Sequence, residues 1–157
     1  MNYTLLPLLT IGGAIFAALF ALWKGDTPAR VAGVVSAINA IALPAARMAL
    51  QAQVGEVLQL TFDFFWAVGL LVLAVRYASL WLGATMLLQA AQFSLHAFYL
   101  VMERPHDLIH AWINNINTVG ISICIVVGAV TAIRRRVVLA QEEAEREARR
   151  QKLSAKA

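Results

Sequence analysis

Charge is what this chain has least of. Asp, Glu, Lys and Arg make up 14% of its 157 residues and 61% are hydrophobic, with a mean hydropathy of +0.70; soluble domains are about a quarter charged and about half apolar. That deficit excludes an ordinary soluble domain and makes lipid the natural solvent. Cysteine is nearly absent too. A lone Cys124 in an apolar run excludes an intramolecular disulfide and any Cys-pair metal motif, and reads as a structural thiol. There is no Gly-rich phosphate loop, no His-Glu-x-x-His and no Ser nucleophile elbow, so the common catalytic sets are missing. The N-terminus lacks the basic segment of a signal peptide, and its apolar run ends on Lys24 rather than a small-residue cleavage site. It reads as a retained first span.

The charge that is present is unevenly placed. Up to residue 133, Lys24, Arg30, Arg47, Arg76 and Arg104 are balanced by Asp26, Glu56, Asp63, Glu103 and Asp107. The net charge of +4 therefore lies wholly in the tail, where eight Lys/Arg face four Glu. A basic excess confined to one end marks a cytoplasmic terminus, not a nucleic-acid-binding domain.

Long apolar runs fill the remainder. A span of about 20 residues crosses a bilayer core of about 30 Å, and the chain divides into five: residues 3–23, 28–50, 57–75, 80–102 and 107–133. The expected architecture is an all-α polytopic membrane bundle over residues 1–133, followed by a charged cytoplasmic helical tail over 134–157. Lys24, Arg30, Arg76 and the tail fall on one side, so the N-terminus is expected outside and the C-terminus inside. Tyr3 and Trp23 are expected at the two interfaces. Gly13, Ala17 and Ala21, with Gly33, Ala37 and Ala40, form small-residue faces for close packing. Thr27 is expected to cap the second helix ahead of Pro28, and Pro44 to kink it. No Gly or Pro marks the turn at 76–79; length alone requires it. Arg134, Arg135 and Arg136 are expected to anchor the fifth span at an anionic inner leaflet, and Glu142/Arg146 and Glu145/Arg149 have the spacing that supports a helix beyond it.

Against this apolar background, two polar stripes stand out. At about 100° per residue, Thr85, Gln89, Gln92, His96 and Glu103 share one arc, and His106, His110, Asn114, Asn117, Cys124 and Gly128 share another. Lipid is a poor host for such groups, so both stripes are expected to face protein. Asp63, on a face with Glu56, Gln59 and Trp66, lies about two turns inside the third span and must be protonated or partnered. Asn39 is expected to bond a neighbouring helix. Counting from the outer turns, Asp63, His96, His110 and Asn114 share a depth of about 5–12 Å, so they meet if helices 3, 4 and 5 are neighbours.

Three readings of that cluster are open. In the first, Gln89, Gln92, Asn114 and Asn117 bond helix 4 to helix 5 and Asp63 pairs with His96, fixing register. In the second, His96 and His110 ligate a haem or metal. In the third, Asp63, His96, Gln89 and Asn117 relay ions or protons. Arg76-Tyr-Ala-Ser-Leu-Trp81-Leu-Gly83, followed by Gln89, Gln92, His96 and Glu103-Arg-Pro-His-Asp107, resembles a pattern in small, uncharacterised multi-span membrane proteins of alphaproteobacteria, over residues 60–133. The resemblance implies a bacterial inner-membrane location and no activity. The expected role is a non-enzymatic accessory or scaffold subunit, with lipids and other membrane subunits or a second copy as partners and no cofactor. The alternatives are a ligand, haem or ion/proton site in the outer half of helices 3–5, and a holin-like pore former.

Overall fold

The computed structural model describes residues 5–50, 52–105 and 107–154, which form five α-helices with no strand among them. These are α1 (Leu5–Lys24), α2 (Thr27–Ala49), α3 (Ala52–Tyr77), α4 (Leu80–Val101) and α5 (Leu108–Ser154). Tyr3 and His106 lie outside the described residues. Each helix packs on the next, α5 closes back on α1, and α5 also reaches α2 across the middle. The result is a ring of five. Among the described residues α3 and α5 are not direct neighbours in the ring; α4 stands between them.

Two bonds fix the sense of α5 against α1. Thr10 donates to Asn115 at one end, and the Arg136 guanidinium donates to the Gly25 carbonyl at the other, 2.8 Å away. The helices are parallel. We call the Gly25 end the tail end, since α5 leaves the bundle there, and the opposite end, with the 102–107 connection, the far end.

The segments Val54–Tyr77 and Leu108–Ser154 are long and apolar enough to cross a membrane, and Leu8–Lys24 and Thr27–Leu43 are shorter apolar stretches. α4 is diluted by its own polar stripe, but Thr85, Gln89, Gln92 and His96 are all buried. What the bundle exposes instead is hydrocarbon: Leu80 is 94% exposed, and Leu9, Phe65, Val75 and Val101 also face outward. Left in water, that apolar area would cost about 25 cal/mol per Å².

The interior differs from end to end. Toward the tail, Ala17, Ala21, Ala29, Ala32, Leu70, Leu82, Ile125 and Ala129 form a dry core. The small residues let α1 and α2 approach closely, so that a Cβ on Gly33 would stand 3.1 Å from that of Ala21. Gly13 is exposed and has no part in this face, which is built from Ala14, Ala17, Ala18 and Ala21. Gly128 admits the Trp81 ring from α4, leaving a Cβ there only 2.6 Å from the indole.

The helix ends follow local chemistry. Asp26, not Thr27, is the N-cap of α2: its backbone is extended and its carboxylate accepts from the Ala29 amide at 3.2 Å. The capping acceptor lies one residue earlier than expected, which leaves Pro28 inside the first turn, where its missing N–H costs nothing. α2 remains helical through position 44. α3 turns into α4 through Ala78, at φ 46°, which supplies the left-handed residue without a glycine. The Lys24 ammonium lies over the exposed Trp23 ring, 4.0 Å from its centroid. Beyond the bundle, α5 continues as an exposed helix to Ser154, with Arg146 and Glu142 3.8 Å apart.

A left-handed non-glycine residue costs about 1–2 kcal/mol, so Ala78→Gly is expected to stabilise the bundle by up to about 1 kcal/mol after the entropy of glycine is subtracted. Gly128→Ala is expected to destabilise it by about 1–3 kcal/mol through overpacking against Trp81. Unfolding in mixed detergent–SDS titrations reads both.

Candidate functional site

Asp63 is fully buried on the inner face of α3. Its Oδ1 accepts from Nε2 of Gln89 at 2.9 Å and, at the longer distance of 3.5 Å, from Nδ2 of Asn39. Its Oδ2 lies 2.6 Å from Nδ1 of His96, close enough for one proton to be held between carboxyl and ring. α2, α3 and α4 are thus tied at one acid. The amide nitrogen of Gln59, one turn before Asp63, lies 3.4 and 3.3 Å from the two ring nitrogens of His96.

From this pair, polar groups continue toward the far end. The His96 and His110 rings are 5.3 Å apart, and His110 meets the edge of Tyr99 at 4.7 Å. The Tyr99 hydroxyl donates to Asp107 at 2.6 Å. Asp107, ahead of α5 in the connection, also accepts from the His110 amide at 2.8 Å and so caps α5. Those two donors, the phenol first, hold the Asp107 carboxyl below its usual range. α4 ends as Glu103 takes a left-handed conformation at φ 49°, leaving its side chain exposed and outside the arc it shares in sequence with His96.

Beside the Asp63–His96 pair lies a cavity of about 420 Å³, to which all five helices contribute. Thr10, Ser36, Asn39 and Gln59 line it from α1, α2 and α3, and Gln89, Gln92, Asn114, Asn115 and Thr118 from α4 and α5. Trp66 and Ile121 close it on the side of the dry core. The expected bonds between α4 and α5 amides are not made. Gln89 turns its N–H to Asp63, and Gln89 Oε1, Gln92 Oε1, Asn114 Oδ1 and Asn117 Nδ2 have no hydrogen-bond partner among the described residues. The reason is geometric: a shared arc fixes direction, not distance.

Not every residue of the stripes joins the site. Thr85 bonds the carbonyl of Trp81 in its own helix. Asn117 is buried without lining the cavity. Cys124 is half-buried, and Gly128 belongs to the dry half. Arg134, Arg135 and Arg136 are all exposed, and Arg136 also reaches back to Gly25. Thr10, Ser36, Asn115 and Tyr99 enter the site without having stood out in the sequence; Tyr99 alone carried a signal, standing three residues after His96 on the same arc.

Haem does not fit this arrangement. With metal–nitrogen bonds of about 2 Å, imidazoles on opposite sides of one iron need centroids more than about 6 Å apart, whereas His96 and His110 are 5.3 Å apart and His96 Nδ1 is engaged by Asp63. No cluster of three His, Cys, Asp or Glu suited to a metal occurs among the described residues. No family model, curated protein or solved structure matches the chain.

Removing one partner of a buried ion pair costs about 3–5 kcal/mol, while replacing both by apolar groups is close to neutral. His96→Leu is therefore expected to destabilise the bundle severely and Asp63→Leu/His96→Leu much less, a coupling read from a double-mutant cycle of denaturant midpoints. At Asp107 the folded carboxyl titrates below its unfolded value. Its stabilisation is complete above about pH 4 and fades as pH falls through the lowered value. Asp107→Asn is expected to flatten that acid limb of a stability–pH curve.

Proposed function

We propose that this chain is a five-span membrane protein of a bacterial inner membrane, far end outside and tail in the cytoplasm, whose outer half binds a small polar solute or ion next to a proton held by Asp63 and His96. The membrane reading is supported by the apolar surface around a polar interior and by Lys24, Arg30, Arg76 and Arg134–Arg136 at one end. The observation that carries the site reading is the cavity of about 420 Å³ lined by hydroxyls and amides from all five helices, with the oxygens of Gln89 and Gln92 buried and without partners in the same layer. Its volume is in the range of small-molecule pockets, and a space this polar holds water or a ligand.

A scaffold role, the first expectation from the sequence, accounts for the bonds to Asp63 but leaves those oxygens and that volume without a purpose. Conduction through the bundle is disfavoured, since the tail half is sealed by alanine and leucine. Binding from one side is the chemistry that remains.

Cysteine accessibility tests the site. In a Cys124→Ala background in proteoliposomes, Thr118→Cys and Ala40→Cys are expected to react with the neutral, water-soluble reagent 2-hydroxyethyl methanethiosulfonate, while Ala129→Cys in the dry core stays unmodified. Inert cysteines at 118 and 40 in a folded protein overturn the reading.

A further inference from the structure

We propose that the exposed end of α5 pairs with the same helix of a second copy of this chain, side by side and parallel, along a charge-free line from Val137 to Gln151. Every residue from Val137 to Ser154 is exposed. Between Gln141 and Lys152 the chain reads Gln-Glu-Glu-Ala-Glu-Arg-Glu-Ala-Arg-Arg-Gln-Lys: Gln141, Ala144, Ala148 and Gln151 carry no charge, and all eight other positions do. Steps of three, four and three lead from Gln141 to Gln151, and a step of four leads back to Val137. That alternation is the spacing of the seam in a two-stranded coiled coil. At about 100° per residue the five positions fall within an arc of about 80°.

A helix that merely stands in water has no need of such a line. It is held by opposite charges four residues apart. Here Glu142/Arg146 and Glu145/Arg149 attract, whereas Glu143/Glu147 and Arg146/Arg150 repel. Pairing along the helix therefore cancels and does not account for the pattern. A face from which charge is excluded does, because a neighbouring helix strips water from that face alone.

The flanking charges select a second copy as the neighbour. With Val137, Ala144 and Gln151 at one seam position and Gln141 and Ala148 at the other, Glu147 of each parallel helix comes to face Lys152 of its mate. The pair before it is Ala140 with Glu145, so no like charges meet. Ala144 and Ala148 let the backbones approach, and each glutamine, carrying both a donor and an acceptor, bonds to its own equivalent across a two-fold axis. Within the bundle the line continues along the outer face of α5 through Trp112, Ile116, Val119, Ile123 and Val127, each at least 43% exposed. Arg134 is the one charged residue on it, exposed and long enough to turn its guanidinium away from the seam. The parallel direction rests on both copies sharing one membrane; the reading of the cavity does not enter.

Disulfide trapping on the full chain in proteoliposomes tests the seam, in a Cys124→Ala background with copper phenanthroline as oxidant. Ala144→Cys and Gln151→Cys are each expected to form a dimer of twice 17.1 kDa at least about fivefold faster than Arg146→Cys, on the opposite side of the helix. In detergent, followed by light scattering, Glu147→Lys is expected to weaken dimerisation about fivefold and Glu147→Lys/Lys152→Glu to restore it. Thermal stability of the bundle is expected to be unchanged in all of these, since every substituted tail residue lies beyond it. Equal trapping rates at 144, 146 and 151 overturn the seam. Trapping between Val137→Cys and Gln151→Cys chains, but not within either, overturns the parallel direction, and a dimer indifferent to Glu147→Lys overturns the register. A chain that stays monomeric in detergent and untrapped in vesicles overturns the second copy as occupant. Labelling of Thr118→Cys is independent of every one of these outcomes, so the reading of the cavity stands or falls separately.

Discussion

A carboxylate with no exposed surface, inside a bundle whose outside is hydrocarbon, is the constraint from which the arrangement of α2, α3 and α4 follows. Charged groups so buried are tolerated only when protein replaces their water. Asp63 recruits an imidazole and an amide from α4 and a longer contact from α2. These contacts set the rotation of three helices at once: turning α3 by one residue, about 100°, would deliver the acid to the apolar outer face of the bundle. Bonds between neutral side chains in membranes contribute about 0.6 kcal/mol each on average, so the specificity of the fold at this level comes from the acid rather than from the number of bonds.

The two halves of the bundle are stabilised in different ways. Near the tail, alanines on α1, α2 and α5 bring backbones together, and Leu70, Leu82 and Ile125 fill the centre. Close packing of small residues dominates there. Toward the far end the ring opens around polar groups, and order is maintained by Asp63 and by Asp107, which caps α5 while holding Tyr99 of α4. A rigid floor beneath a polar chamber is a division of labour found along a single helix: α5 supplies Asn114 and Thr118 to the chamber and Ile125 and Ala129 to the floor.

Helix number was legible because the apolar runs are long and separated by short polar or charged segments, and Asp63, His96 and Asn39 were conspicuous because acids, imidazoles and amides are rare in such runs. What periodicity could not convey was separation. Gln92 and Asn114 share arcs that point inward and line one cavity, yet no bond joins their amides. Single polar residues in apolar helices, such as Thr10 and Ser36, have no pattern of their own and acquire meaning only when α1 and α2 are placed beside α5. The turn at Ala78 was invisible for another reason: its left-handed backbone uses a residue type that ordinarily signals helix.

α5 runs unbroken for 47 residues, a rod of about 70 Å with one end in the polar chamber and the other well clear of the bundle. Arg136, bound to the end of α1, stands where the rod emerges, like a fulcrum. About 27 Å of helix lies between it and Ser154, so a tilt of about 10° there carries the tip sideways by about 5 Å. The same rigid tilt swings Asn114, about 33 Å along the other arm, by about 6 Å the opposite way, so a movement of the chamber wall and one of the exposed tip are coupled at nearly equal size.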